Sequence, residues 1–342
     1  MNIHHLCLLG FGNVGKALVR LLIEKQASLH DQYGIDWRIA GVASRHLGWI
    51  AAPDGLDPEA LLRGEFPASL ADLSADPVRQ WLEAAQSDVL FEISSLNAQT
   101  GQPAIHHLRT ALEYGAQAIT ANKGPIVHAY RELRDLAVRC GKRFMFESTV
   151  MDGAPVFSLF RSALPAANIV RFRGILNSTT NYILTRMEAG LDFDAAVREA
   201  QEIGIAETDP SADVDGWDAT VKVAALATVL MDSPLDPNSI ERSGLRGLTG
   251  EAVQAALSEG FRYKLVCTAE RDDAGQLRAR VGMEKVSLTD PLASVTGTSS
   301  LVHFETDVLP GLTLTEHNPG PKTTAYGLLA DFVNALRTQE SP

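Results

Sequence analysis

The stretch LCLLGFGNVGKALVRLL, residues 6–22, constrains the fold most, because it sets Gly10, Gly12 and Gly15 in the spacing G-x-G-x-x-G between an apolar run and an amphipathic one. The run before it reads as a buried strand, and KALVRLLIEKQASL after it carries apolar residues at helical spacing. In such a turn the first glycine allows the tight bend, the second lets backbone approach a pyrophosphate, and the third lets helix close on strand. The amides of Asn13 and Val14 then open the helix with its positive end toward a phosphate. The spacing therefore predicts a dinucleotide site, with Gly10, Gly12, Asn13, Val14 and Gly15 as candidate cofactor contacts.

A turn of this kind works inside a parallel sheet, and the first 150 residues keep that rhythm. HLCLLG, WRIAGVAS, DVLFEIS, AQAITAN and RFMFEST read as buried strands, while PAIHHLRTALEYG and YRELRDLAVRCG read as helices that end on glycine. Residues 1–150 are expected to form a Rossmann-type, doubly wound α/β domain. Beyond them the pattern changes to a helix (PVFSLFRSAL), a strand (IVRFRGIL), helices as far as Met231, and two strands, FRYKLVCTAE and LRARVGMEKV, around the turn DDAGQ. Segregated strands predict an α+β domain over 151–318 with an open mixed sheet. KTTAYGLLADFVNALR, within 319–340, reads as an amphipathic helix that returns to the first domain. A chain of 342 residues is long enough for two such cores.

Charge narrows the ligand class. With 42 Asp and Glu against 30 Lys and Arg the formal net charge is -12, which speaks against a nucleic-acid partner, since phosphate backbones need clustered cations. No apolar run reaches the roughly 18 residues of a membrane span. The opening MNIHHLCLLG lacks the features of a secretory signal, so a cytoplasmic protein that handles small molecules is expected. Cys7, Cys140 and Cys267 are dispersed and odd in number, which fits neither a disulfide framework nor a zinc set, and each is expected to be a small core residue.

Three further segments carry chemistry. WRIAGVASRHLG ends on Ser44, Arg45 and His46, not on the acid that would hold a ribose 2′-hydroxyl; arginine suits a 2′-phosphate, so NADP is favoured, with NAD possible. TANKGP puts Lys123 at the carboxyl end of a strand, where open α/β sheets bind ligands. DVDGWDATVK gathers three carboxylates before Lys222 and then runs into the apolar VAALATVLM, and Asp218 and Lys222, four apart, share one helix face. Taken alone, Lys123 also reads as a solvated loop residue, Asp218 with Lys222 as an exposed helical ion pair, and Glu207 and Asp213 as loop or capping residues.

The order of the motifs adds to this. GFGNVG, ISSLNAQTG, TANKGP, FESTVMDGAPV, GILNSTTNYILTRM, IGIAETDPSADVDGWDATVK and GPKTTAYGLLAD follow one another as in homoserine dehydrogenases, which the chain resembles over nearly its whole length. The resemblance implies an NAD(P)-dependent interconversion of L-aspartate 4-semialdehyde and L-homoserine, in amino-acid biosynthesis toward threonine and methionine. It implies Lys222 as the residue that gives a proton to the carbonyl oxygen on reduction and takes it back on oxidation, with Lys123 beside it, contacting substrate and cofactor. Glu207 would bind the substrate ammonium, Asp213 and Asp218 would complete the polar wall, and Asn177 and Thr179 would contact substrate. Ser94 and Gly320 would lie beside the cofactor. Glu147, Val150, Asp152 and Ala154 would hold a monovalent cation, usually sodium, and the second domain's sheet would form a homodimer.

The chemistry agrees with those residue types. Hydride delivery to an aldehyde builds negative charge on oxygen, so a cation or acid beside it lowers the barrier. Lysine's reference pKa near ~10.4 falls with burial or a second cation and rises beside carboxylates, so Lys123 and Asp218 would pull Lys222 in opposite directions. The chain also departs from the pattern. NPGPKTTAYG stands where members commonly have small residues, which sets Pro321 and Lys322 near the nicotinamide, and SADVDGWD carries Ala212 and Asp215 where others often have aspartate and asparagine. No regulatory domain is expected after the returning helix. A dehydrogenase of another small hydroxy acid or aldehyde, or a sensor that binds NADP(H) without turnover, are the alternative readings.

Overall fold

The computed structural model, which describes residues 3–337 apart from 72, 74, 75 and 273, divides into two units. One is Met1–Pro155 with Gly320–Pro342, and the other is Val156–Pro319. The boundaries fall after Pro155 and Pro319, where the sequence reading has 150 and 318.

In the first unit β1 (Ile3–Leu9) leads into α1 (Asn13–Tyr33), followed by β2 (Asp36–Ser44), β3 (Gly48–Leu56), α2 (Pro58–Arg63), α3 (Pro77–Ala84), β4 (Val89–Glu92), α4 (Ala104–Tyr114), β5 (Gln117–Thr120), α5 (Lys123–Arg139) and β6 (Phe144–Met145). The strands order as β3-β2-β1-β4-β5-β6 and run parallel, except β3, which pairs antiparallel with β2. This is the Rossmann-type doubly wound sheet. Chain order reverses between β1 and β4, and a crevice at such a reversal is where these sheets bind ligands. Gly10 has φ +110°, and a Cβ there would collide with the Ile93 carbonyl, so the turns after β1 and β4 touch only because position 10 is glycine. A Cβ on Gly15 would lie 2.7 Å from the Gly10 oxygen, which is how closely helix meets strand.

The sequence reading missed β3, α2 and α3. GWIAAPDGL carries Pro53 and Gly55, which break an apolar run but are tolerated in an edge strand. Both helices begin with Asp-Pro: Asp57 accepts from the Glu59 amide at 3.0 Å and Asp76 from the Arg79 amide at 3.2 Å. An acidic cap before proline is a start signal that apolar periodicity does not register. Trp81 of α3 locks this edge, fully buried, with Nε1 donating to the Ile50 carbonyl at 2.7 Å.

The second unit starts with α6 (Val156–Ser158), which widens into a π turn over Leu159–Ala163. Then come β7 (Ile169–Ile175), α7 (Ser178–Glu188), α8 (Phe193–Glu202), α9 (Ser211–Val214), α10 (Trp217–Leu230), β8 (Glu241–Arg242), α11 (Gly250–Ser258), β9 (Phe261–Arg271), β10 (Leu277–Ser287), β11 (Ser300–Thr306) and β12 (Leu312–Glu316). The sheet orders as β12-β11-β7-β9-β10-β8, antiparallel except where β8 joins β10. It is mixed, as expected, with three strands the sequence did not announce. The alternation in β12, LTLTE, runs over only five residues, and β8 has only two. Helix α10 is the opposite case, with nine consecutive or near-consecutive buried positions from Ala219 to Thr228.

The last helix, α12 (Pro321–Leu336), belongs to the first unit. Its Ala325, Leu328 and Phe332 are fully buried in one core with Leu18, Leu22 and Phe91, and the Phe332 and Phe91 rings meet at 5.9 Å. Positions 338–340 of the expected helix lie outside the described residues. Cys7 and Cys267 are buried, but Cys140, at the end of α5, is only half-buried, which corrects its expected place in the core. Among the described residues no helix is long and apolar enough to cross a membrane.

Candidate active site

Asn177 organises the second unit's polar cluster. As the N-cap of α7 it accepts the Thr180 amide at 2.8 Å through Oδ1, which aims Nδ2 away from the helix. That amide donates to Asp213 Oδ1 at 2.6 Å and to Asp218 Oδ2 at 2.9 Å. Asp218, in the first turn of α10, lies 3.4 Å from Lys222 Nζ, which itself donates to the Leu176 carbonyl at 2.6 Å. One helix cap, two carboxylates and one amine thus form a continuous network. The side chains of Lys222 and Asp218 are 15% and 18% exposed, too little for a solvated surface pair.

The wall carries more negative than positive charge. Burial, and next the charge of Asp218, raise the pKa of Asp213, against the opposing hydrogen bonds from Asn177 and Thr179 and the charge of Lys222. A cationic group bound here would relieve that repulsion. Beneath the network, burial pushes the Cys267 thiol of β9 up to about 12, so it is an inert part of the floor. Thr179 Oγ1 donates to the Ile205 carbonyl at 3.2 Å and fastens the loop after α8 to α7. Glu207 stands in that loop, exposed, with its carbonyl bound by Gln201 Nε2 at 3.2 Å. The structure therefore gathers Asn177, Thr179, Asp213, Asp218 and Lys222, and leaves Glu207 at the margin. Asp215, one of the departures noted above, faces Arg246 at 2.5 Å instead of the cluster.

In the first unit the candidate cofactor residues line the carboxyl ends of the strands. Gly12 is the N-cap of α1, so the amides of Asn13, Val14 and Gly15 fall in the first turn, where a helix has no carbonyl of its own to offer them. Ser44 ends β2, and its hydroxyl accepts the Leu47 amide at 3.1 Å, closing the turn that exposes Arg45. Ser94 follows β4 and donates to the Glu92 carboxylate. Asn122 caps α5 by accepting the Gly124 amide at 3.0 Å, so Lys123 is the helix's first residue. Gly320 caps α12, and the unexpected Lys322 pairs with Glu24 of α1 at 3.0 Å.

The segment 147–154 is a tight loop against α12. Glu147 is buried, and its amide donates to the buried Asp331 at 2.7 Å. Asp152 adopts φ +42°, and its Oδ1 accepts the Thr324 hydroxyl at 2.6 Å, while the Ala154 amide closes onto the Met151 carbonyl at 2.8 Å. Among the described residues no group of three His, Cys, Asp or Glu side chains could hold a metal, so a cation here would depend on backbone oxygens.

Residues 155–333 match the family described as homoserine dehydrogenase, and residues 10–147 match its NAD-binding domain. The chain belongs to the homoserine dehydrogenase family. It is 37% identical to the NAD(+)-dependent homoserine dehydrogenase of Pseudomonas canavaninivorans, with 99% of each chain covered. A putative homoserine dehydrogenase from Archaeoglobus fulgidus superposes with a TM-score of 0.85 at 30% identity, covering 97% of this chain and 98% of that one. A hyperthermophilic archaeal homoserine dehydrogenase mutant in complex with NADPH gives 0.80 at 28% identity, with 98% of both chains covered. As a homoserine dehydrogenase family member the chain is an NAD(P)-dependent oxidoreductase.

Sequence reasoning missed the Leu176 carbonyl that holds Lys222, because a carbonyl has no sequence signature.

Proposed function

We propose that the chain interconverts L-aspartate 4-semialdehyde and L-homoserine with NADP(H) in the cytoplasm, in the branch of amino-acid biosynthesis that leads to threonine and methionine. The observation that carries this reading is Asn177 binding Asp213 and Asp218 together, with Lys222 held beside Asp218. NADPH supplies the hydride in one direction, and NADP+ takes it back in the other. The chain's own groups do the rest. Asp213 and Asp218 take the substrate ammonium, whose charge offsets their repulsion. Lys222, kept oriented by Leu176 and Asp218, gives its proton to the aldehyde oxygen as charge grows there, and recovers it from the hydroxyl on oxidation. Thr179 supports the wall, and Lys123, at the head of α5, contacts cofactor and substrate. Glu207 is assigned a second contact with the ammonium, made from its exposed loop.

NADP+ reduction tests the reading: L-homoserine should outperform L-serine, L-threonine and short hydroxy acids in kcat/KM by about 100-fold or more, since one missing methylene alone is discriminated by roughly 10–200-fold. Faster turnover of another hydroxy acid would favour the other-substrate reading, and NADPH binding without any turnover the sensor. The Lys322–Glu24 pair weighs against altered specificity, since it ties the bulkier tail residue to α1.

Protons and the substrate ammonium compete for Asp213. Its raised pKa means the carboxylate takes up a proton earlier than an ordinary aspartate as pH falls, so the KM for homoserine should climb on the acid side while kcat changes less. Asp213→Asn should raise that KM about tenfold, as expected for losing a charged hydrogen bond of ~1.5 kcal/mol, and flatten its acid limb. A wild-type KM independent of pH in the acid range rejects the assignment.

Arg45 is assigned the 2′-phosphate, alongside Ser44. Arg45→Ala should lower kcat/KM for NADPH by about tenfold or more and leave that for NADH nearly unchanged, because only the former loses a charged contact. Equal losses for both cofactors would remove Arg45 from that role.

The loop 147–154 fits a hard monovalent cation, sodium, in its donor chemistry: the Glu147 carboxylate with oxygens of Val150, Asp152 and Ala154, beside a second buried carboxylate at Asp331. Sodium should then raise the melting temperature more than tetramethylammonium at equal ionic strength, and Glu147→Gln should abolish the difference; no sodium effect in the parent protein rejects the site. A homodimer through the second unit's sheet completes the reading, to be checked by light scattering, where a single-chain mass rejects it.

A further inference from the structure

Glu92 is fully buried at the carboxyl end of β4, yet none of the roles above uses it. A buried carboxylate persists only where donors meet it. Here the Ser94 hydroxyl and, at 3.2 Å, the Ser94 amide donate to Oε1, while the Thr120 hydroxyl, at the end of β5, is shared between Oε2 and the Glu92 backbone carbonyl, each at 3.0 Å. His107 Nδ1 of α4 lies 3.5 Å from Oε1, at the edge of hydrogen-bond range.

The contacts close a ring. Thr120 Oγ1 accepts the Asn122 amide at 2.9 Å, and Asn122 Nδ2 donates back to the Ser94 carbonyl at 3.3 Å. Asn122 also accepts the Gly124 amide, so Lys123 lies between a residue of the ring and the glycine that residue holds. The turn after β4 and the turn after β5 are thus tied through one carboxylate, with the candidate cofactor residues Ser94 and Lys123 on the tied segments.

We infer that Glu92, acting through Thr120 and Asn122, is a positioning residue that fixes Ser94 and Lys123 for the nicotinamide cofactor. The inference rests on the cofactor roles of Ser94 and Lys123 given above. In the parent protein the carboxylate sets the spacing of two strand ends; without it, each turn moves independently and the cofactor must order them as it binds.

The test is NADPH affinity by fluorescence titration, with melting temperature and homoserine kinetics measured in parallel. Thr120→Val removes the hydroxyl that donates to Glu92 and accepts the Asn122 amide, with little change of shape, and Thr120→Ser restores it; Glu92→Gln, which removes the charge, should weaken NADPH binding as well. Thr120→Val should weaken NADPH binding about tenfold, in line with the steep cost of small misplacements, and Thr120→Ser should recover most of the affinity. Wild-type NADPH affinity in Thr120→Val overturns the inference, whether or not the variant melts early. Because binding is read apart from turnover, a parent protein that binds NADPH but ignores homoserine would defeat the proposed function and leave this inference to stand or fall on its own titration.

Discussion

Lys222→Ala is expected to lower kcat by about 10²- to 10⁴-fold in both directions, the usual contribution of a positioned acid or base. The geometry says why the loss should fall on kcat. Lys222 sits one helical turn from Asp218 and is aimed by the Leu176 carbonyl, whereas Asp213 and Asp218 remain bridged by Asn177 when the amine is gone. Homoserine should therefore still bind, with a KM changed by less than about tenfold. Lys222→Arg is the informative companion. A guanidinium stays protonated at any working pH, so it offers charge to the developing oxyanion but does not exchange the proton. Its kcat/KM should lie above the alanine variant's and below the parent's, by the same factor in oxidation and in reduction, because both directions share one transition state. Equal, near-parental rates in all three proteins would remove Lys222 from the proton transfer.

The largest expected effect on folding comes from Trp81→Ala, at about 3–5 kcal/mol for a fully buried aromatic. Trp81 is 0% exposed, packs at 5.4 Å against Trp49 and donates to the Ile50 carbonyl. Truncation opens a cavity and leaves that carbonyl without its indole donor. It also removes what Gly41 is shaped for, since a Cβ on Gly41 would lie 2.9 Å from the Trp81 ring and 2.7 Å from Cys7 Sγ. Trp81→Phe keeps most of the volume and loses the hydrogen bond, so its cost should be smaller, near ~1 kcal/mol beyond any repacking. Because the chain has two units, unfolding is best followed by a probe of the first unit, such as NADPH binding against urea, and not as a single transition. A Trp81→Ala loss under about 1 kcal/mol would show that this edge of the sheet is not held as described.

How much of this was legible in the sequence follows from what apolar patterning reports. Strands β1, β2, β4 and β5 are themselves buried apolar runs, and the glycine turn stands between the first of them and a helix, so the nucleotide-binding unit could be read directly. The edge strand β3 is interrupted by Pro53 and Gly55, the edge strand β12 alternates over only five residues, and helices as short as α2 show only their caps. At the site, the spacing of Asp218 and Lys222 fixed their contact, because a helix guarantees it. The bridge from Asn177 to Asp213 joins residues 36 positions apart, and the ring around Glu92 joins residues 28 apart. Such contacts exist only once the sheets are assembled, and no local periodicity encodes them. Glu207 shows the reverse limit: a motif gave it a role, but its exposed loop position comes from the fold.

The most direct measurement is a crystal structure of the protein with L-homoserine and NADP+ bound. The account predicts the substrate hydroxyl within about 3.2 Å of Lys222 Nζ and its ammonium at a similar distance from Asp213 or Asp218. A homoserine bound with its hydroxyl turned away from Lys222, or held by other residues altogether, would contradict it.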